Sequence, residues 1–141
     1  MKTRWPLVLM ALLLSLGWTT QVLALDVGNF TRVLNQVDQV KKGQGPAMQA
    51  KVPNGVENQD LVRTQEQSMA VVKFIDDSNV TISPKSKVTI EDYMYDANKG
   101  QTKGTIKVFE GVIETVIPNT DKIQKTSIQI HTTTAIAGIR D

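Results

Sequence analysis

The feature that most constrains this chain is a run of two-residue alternation within residues 56–90, folded back on itself at a short acidic turn. Ala70, Val72 and Phe74 alternate with Val71, Lys73 and Ile75. Beyond Asp76-Asp77-Ser78-Asn79, Val80 and Ile82 alternate with Thr81 and Ser83. After a corner at Pro84-Lys85-Ser86-Lys87, Val88 and Ile90 alternate with Thr89. A strand puts successive side chains on opposite faces, so this pattern, closed by turn formers, predicts a hairpin with one buried face. Proline presets a turn torsion and serine bonds its own backbone, which makes the second corner tight.

The rest of the chain reads the same way. Residues 25–42 place Val33, Val37 and Val40 at helical spacing, but Gly28, Asn29, Thr31 and the valines form helix poorly. An edge strand opening the sheet is the expected form. Residues 41–54 carry Gly43, Gly45, Pro46 and Pro53 and read as loop, with at most a short strand over 48–52. Asn58-Gln59-Asp60 and residues 65–67 predict turns on either side of a strand at 61–64. The strand 87–95 slips out of alternation near Asp92, which predicts a bulge. Residues 96–104 read as a long exposed loop, 105–109 and 111–117 as strands, and Pro118-Asn119-Thr120-Asp121 as a turn. Residues 127–137, with Ile128, Ile130 and Ile136, read as one last strand. Short strands at regular spacing predict an all-β, mostly antiparallel roll or sandwich with solenoid-like stacked hairpins.

The first residues have a different character. Lys2 and Arg4, the apolar run at 7–16 and Val22-Leu23-Ala24 follow the three-part layout of a secretory signal peptide, with cleavage expected after Ala24. The apolar run of about 10 residues is half of the roughly 20 that a spanning helix needs. Residues 1–24 are therefore expected to leave, with no transmembrane anchor after cleavage and a periplasmic or secreted product. Losing Lys2 and Arg4 reduces 16 basic residues to 14, against 14 acidic ones. A nucleic-acid binder concentrates basic charge, and this balance argues against one. With no cysteine, the core must hold without disulfides.

No catalytic constellation stands out. His131 is the one histidine and lies mid-strand, whereas a zinc site gathers several His, Cys or carboxylate ligands. Asp76, Asp77 and Asn79 are oxygen-rich, but a calcium loop wants six or more oxygens and a downstream bidentate glutamate. Glu91 and Asp92 are adjacent on a strand and face opposite sides, so they cannot act as a glycosidase pair, with or without Asp96. Ser78, Ser86 and Ser127 have only His131 as a base, and Thr132-Thr133-Thr134 has none beside it but that histidine. The expected site assignment is none for catalysis, cofactor or metal.

Several pieces, in order, resemble the FecR domain. Gln59-Asp60-Leu61-Val62-Arg63-Thr64 is similar to its entry strand, residues 74–82 to its Asp-Gly-Ser hairpin and residues 84–90 to its Ser corner. Residues 107–112 are similar to its strand pair joined at glycine, and residues 133–140 to its closing strand. Thr133 or Thr134 replaces the family's proline, and Asp141 replaces the glycine after Arg140. With the leader at 1–24, the expected organisation is an N-terminal strand or short helix with loop at 25–55 and, as the resemblance implies, a FecR-like β domain at 56–141 that is short of the family's C-terminal end. The resemblance also implies one further strand beyond this point, without which a sheet edge would be exposed. In sigma-factor regulators this domain follows an anti-sigma segment and a membrane helix, and nothing similar precedes Leu25. The expected function is a non-catalytic, exported interaction module with a protein or cell-envelope partner, bound at a strand edge or at the loops 41–54 and 96–104. The alternative is a carrier of a small ligand or lipid with an open barrel or jelly-roll interior.

Overall fold

The computed structural model describes residues 25–117, 125–133 and 136–140, with backbone only for 125 and 136–140. The leader at 1–24 and the turn at 118–121 lie outside these residues. Twelve strands follow one another: β1 (Asp26–Leu34), β2 (Val37–Val40), β3 (Ala47–Gln49), β4 (Gly55–Glu57), β5 (Leu61–Thr64), β6 (Met69–Phe74), β7 (Asn79–Ile82), β8 (Lys87–Asp96), β9 (Gln101–Glu110), β10 (Val112–Val116), β11 (Lys125–Thr132) and β12 (Ile136–Arg140). They form two six-stranded sheets, ordered β12-β10-β7-β6-β1-β4 and β11-β9-β8-β5-β2-β3. The sheets face each other without closing into a barrel, so the all-β, mostly antiparallel expectation holds.

The β6–β7 hairpin forms as its alternation requires, with Ala70 opposite Ile82 and Val72 opposite Val80. Its inward side chains pack against Val62, Val88, Ile90, Ile106 and Val108 of the second sheet. Phe30, Val37 and Val56 are also fully buried. Each such side chain stabilises the fold by about 1.5–3 kcal/mol relative to exposure.

The chain changes sheet repeatedly, and residues with positive φ mark several of the crossings: Asn35, Gln59, Gln67, Lys85 and Gly111. Residues 25–42 are consequently two strands in different sheets. β1 is not an edge strand, because it pairs with β6 on one side and β4 on the other. The helical spacing of Val33, Val37 and Val40 arises across the β1–β2 corner. The short strand expected at 48–52 lies at Ala47–Gln49, where Ala47 pairs with Val40.

Asp92 has φ 51, and the register slips by one residue between Glu91 opposite Thr105 and Met94 opposite Lys103. This is the expected bulge, and it turns Tyr93 inward. The long loop expected at 96–104 shrinks to a turn at 97–100, because Gln101 to Gly104 belong to β9. Gly104 is a strand residue chosen for space, since a Cβ there would stand 2.7 Å from the Tyr93 ring.

The last expected strand is two. β11 pairs in parallel with β9, from Lys125 on Gln101 to Thr132 on Val108. β12 pairs in parallel with β10, from Ile136 on Val112 to Arg140 on Val116. Both ladders therefore carry the same offset of 24 residues. Residues 101–116 and 125–140 are thus successive coils of a two-sheet solenoid, the second stacked on the first.

Candidate functional site

The sandwich holds three clusters of polar side chains, each built where the chain turns between strands. Asp60, in the β4–β5 corner, is fully buried. Its Oδ2 accepts hydrogen bonds from Gln39 Nε2 at 2.9 Å, Lys41 Nζ at 3.0 Å and the Glu57 amide at 3.0 Å. Its Oδ1 accepts from the Lys42 amide at 3.1 Å. Lys41 Nζ also stands 3.4 Å from Glu57 Oε1. Partial burial disfavours the Lys41 charge, but hydrogen bonding to Asp60 and the fields of Asp60 and Glu57 outweigh it and raise its pKa. A buried carboxylate needs such donors, and together they hold β2, through Gln39, and the 41–57 segment, through Lys41, Lys42 and Glu57, at the start of β5.

The second cluster occupies the β6–β7 turn. Asp76 is buried; it accepts from the Ser78 amide (3.0 Å), Ser78 Oγ (2.7 Å) and Thr102 Oγ1 (2.9 Å). Thr102 belongs to the opposite sheet, so this carboxylate ties the two sheets together. Tyr93 stacks on Phe74 with ring centroids 4.2 Å apart. Its hydroxyl is buried beside Asp76 without hydrogen-bonding geometry to any acceptor. Burial, reinforced by the Asp76 carboxylate, pushes its ionisation far above the usual tyrosine range. Asn58 clamps the bulge by accepting from the Tyr93 amide (2.8 Å) and donating to its carbonyl (3.2 Å).

The third cluster clasps β5, the Pro84–Ser86 corner and β10. Thr64 Oγ1 donates to the Ser83 carbonyl at 2.6 Å and accepts from the Ser86 amide at 2.9 Å. Ser86 Oγ accepts from the Val112 amide at 3.1 Å. Gly111, φ +91, leaves room for that hydroxyl: a Cβ would lie 2.0 Å from Ser86 Oγ. These are connections between layers, and the carboxylates and hydroxyls at their centres, on Asp60, Asp76, Thr64 and Ser86, are buried.

The other residues singled out in the sequence are dispersed. His131 and Ser127 are exposed on the outer face of β11. Asp77 leaves the turn to pair with Lys73 at 3.7 Å, while Asp76 points into the core. Asp96 caps its own turn by accepting from the Asn98 and Lys99 amides. Among the described residues no three His, Cys, Asp or Glu side chains converge as metal ligands. The carrier alternative fails on packing, because Val72, Phe74, Ile82 and Ile90 fill the interior as one cluster. A shallow apolar groove of about 630 Å³ at one end, lined by Leu25, Ile75, Met94 and Tyr95, opens outward instead. Of the two loops expected to bind partners, 41–54 is tied down through Lys41 and 96–104 is mostly strand.

The bonding roles of Gln39, Lys41, Asn58 and Thr102 could not be read from sequence, since their partners lie 19 to 35 residues away. The carboxylates of Asp60 and Asp76 did carry a sequence signal, as parts of the pieces that resemble the FecR domain.

The protein is an all-β sandwich extended by a parallel coil, with the buried polar groups of these clusters spent on joining layers. The model of the family described as FecR protein matches residues 60–141, more than half of the chain, and the protein belongs to that family. No curated protein and no solved structure shows significant similarity to it. The match begins at Asp60 and takes in the Asp76 and Ser86 clusters, whose polar residues here hold the strands and sheets together.

Proposed function

We propose that this protein is an exported, non-catalytic interaction module of the cell envelope. The observation that carries the reading is the fate of the polar residues in its family motifs. Asp60, Thr64, Asp76, Ser78 and Ser86 are all buried and hydrogen-bonded to other parts of the fold. Function is left to the surface, where unpaired strand edges offer main-chain groups to a partner strand. Membership of the FecR family and the leader-like residues 1–24 support an envelope setting. No helix among the described residues is long and apolar enough to cross a membrane.

The test measures export and turnover on one preparation. The full chain is expressed with its own leader, fractionated, sequenced from its N-terminus and assayed against ester, glycoside and peptide substrates. The expected product is periplasmic, begins at Leu25 and turns over none of them. A hydrolytic activity lost on His131→Ala or Asp92→Asn, at unchanged melting temperature, overturns the reading.

A further inference from the structure

We infer that a hollow on the outer face of the second sheet, beside the β8 bulge, binds a neutral saccharide chain through side chains that the fold leaves unused. The inference rests on the interaction-module reading and adds to it a site and the chemistry of an envelope partner.

The bulge shapes the hollow. Asp92 sits at φ 51, a conformation that residues other than glycine hold only where their surroundings impose it. Here Asn58 imposes it from 35 residues away, through its bonds to the Tyr93 amide (2.8 Å) and carbonyl (3.2 Å). Tyr93 turns into the core and Asp92 is left outside. Bulges commonly re-aim a side chain beside a site in this way. Past the bulge, Met94 stands opposite Lys103, Lys103 opposite Ser127, and Thr105 opposite Gln129. With Asp92, these side chains surround a hollow of about 310 Å³, and Gly104 lies among them.

The hollow lies on the broad face of the sheet, where the main-chain groups are already paired in the ladders, so side chains must recognise whatever binds. Asp92, Met94, Lys103, Ser127 and Gln129 are exposed, and Thr105 is half-buried. Among the described residues, none of the five polar side chains makes a hydrogen bond or ion pair within the fold. The polar residues of the three buried clusters are consumed by the fold; these are not.

Their chemistry selects the occupant. One carboxylate and one ammonium leave the hollow without net charge, so an anion is repelled by Asp92 and a cation by Lys103. A sugar hydroxyl both donates and accepts. It can give its proton to Asp92, take one from Lys103, and do either with Gln129, Thr105 and Ser127. Met94 supplies an exposed, adaptable apolar contact for the C–H face of a sugar ring. A second hollow of about 280 Å³ shares Lys103 and Ser127 and reaches Gln101, so the ligand extends as a chain along β9. Cleaving a glycosidic bond takes a pair of carboxylates, and among the described residues Asp92 is the one that lines the hollow, which favours binding without turnover.

The test titrates the purified chain with maltotetraose, cellotetraose and chitotetraose, and with acidic tetragalacturonate as the charged control, following backbone amides by nuclear magnetic resonance. At least one neutral probe is expected to shift the amides of Gly104, Thr105, Ser127 and Gln129 saturably at millimolar concentration. Val71 and Thr81, on the outer face of the other sheet, are expected not to move. Gln129→Ala and Asp92→Asn remove groups that the fold does not use, and each is expected to weaken binding about threefold to tenfold at unchanged melting temperature. No shift with any neutral probe overturns the inference. So do shifts that map elsewhere, binding unaffected by either variant, or tetragalacturonate binding as well as the neutral chains. If Asp92→Asn does not fold, Gln129→Ala still decides. A failure to bind leaves export and the absence of turnover standing, whereas release of shorter sugars during the titration defeats the non-catalytic reading and leaves the site in place.

Discussion

Asp60→Asn isolates the part played by charge in the cluster that anchors the N-terminal segment. The side chain keeps its shape, but every group around it is a donor: Gln39 Nε2, Lys41 Nζ and the amides of Glu57 and Lys42. An asparagine amide must turn its own NH2 toward at least one of them. The least damaging flip aims it at the Lys42 amide alone and keeps the oxygen for the other three. Even so, the charge facing Lys41 is gone. Breaking a buried pair from one side typically costs about 3–5 kcal/mol, and Lys41, whose side chain is 35% exposed, recovers some of that by hydration. The expected loss is therefore about 2–4 kcal/mol, a large share of the roughly 5–15 kcal/mol that holds a domain folded. Equilibrium urea unfolding followed by circular dichroism measures it, with the midpoint moving and the slope unchanged. Lys41→Met in the Asp60→Asn background should cost little more, since the pair is already broken. An Asp60→Asn protein within about 0.5 kcal/mol of the parent would refute the claim that this carboxylate anchors the segment.

Four further predictions follow from the structure. Tyr93 keeps its proton when folded but ionises near its usual value of about 10 when unfolded, so stability should fall as pH rises above that value; Tyr93→Phe should flatten the slope in unfolding measured from pH 8 to 11.5. Lys41 shifts in the same direction, so its contribution is complete below about pH 10.4 and disappears as pH climbs through its raised folded value, which Lys41→Met should also flatten. Gly111→Ala combines a positive φ with a Cβ on top of Ser86 Oγ and should cost more than about 3 kcal/mol or prevent folding, read as loss of soluble protein or a melting temperature lower by about 10 °C. His131→Ala, on the exposed face of β11, should leave melting within about 0.5 kcal/mol of the parent.

The parts of the fold that could be read from sequence are those specified by neighbours. The β6–β7 hairpin, the Asp92 bulge and the strand break at Gly111 each show themselves within a few residues, through alternation or its interruption. What could not be read depends on which sheet a strand joins. Val33 and Val37 look like one helical face because a corner separates two strands, and that corner is made by an unremarkable Asn35. Gln101 to Gly104 look like loop because Gly104 serves a ring ten residues earlier rather than a turn. The family motifs pointed to the right carboxylates and hydroxyls. Their partners were invisible, since Thr102 for Asp76 and Gln39 for Asp60 come from strands whose position only the completed sheets define.

The position of β1 inside its sheet also bears on the export proposed above. Arg32 pairs with Val71 and Gly28 with Phe74, so the first strand has no partner on that side until some forty more residues have emerged. In the second sheet β2 meets β3 early, Val40 pairing with Ala47, but waits for β5 on its other side, where Val37 pairs with Thr64. Contacts this distant in sequence form slowly. If the chain is exported as proposed, threading from the N-terminus would deliver local hairpins such as β6–β7 first, and the sandwich could close only after most of its strands had arrived on the far side.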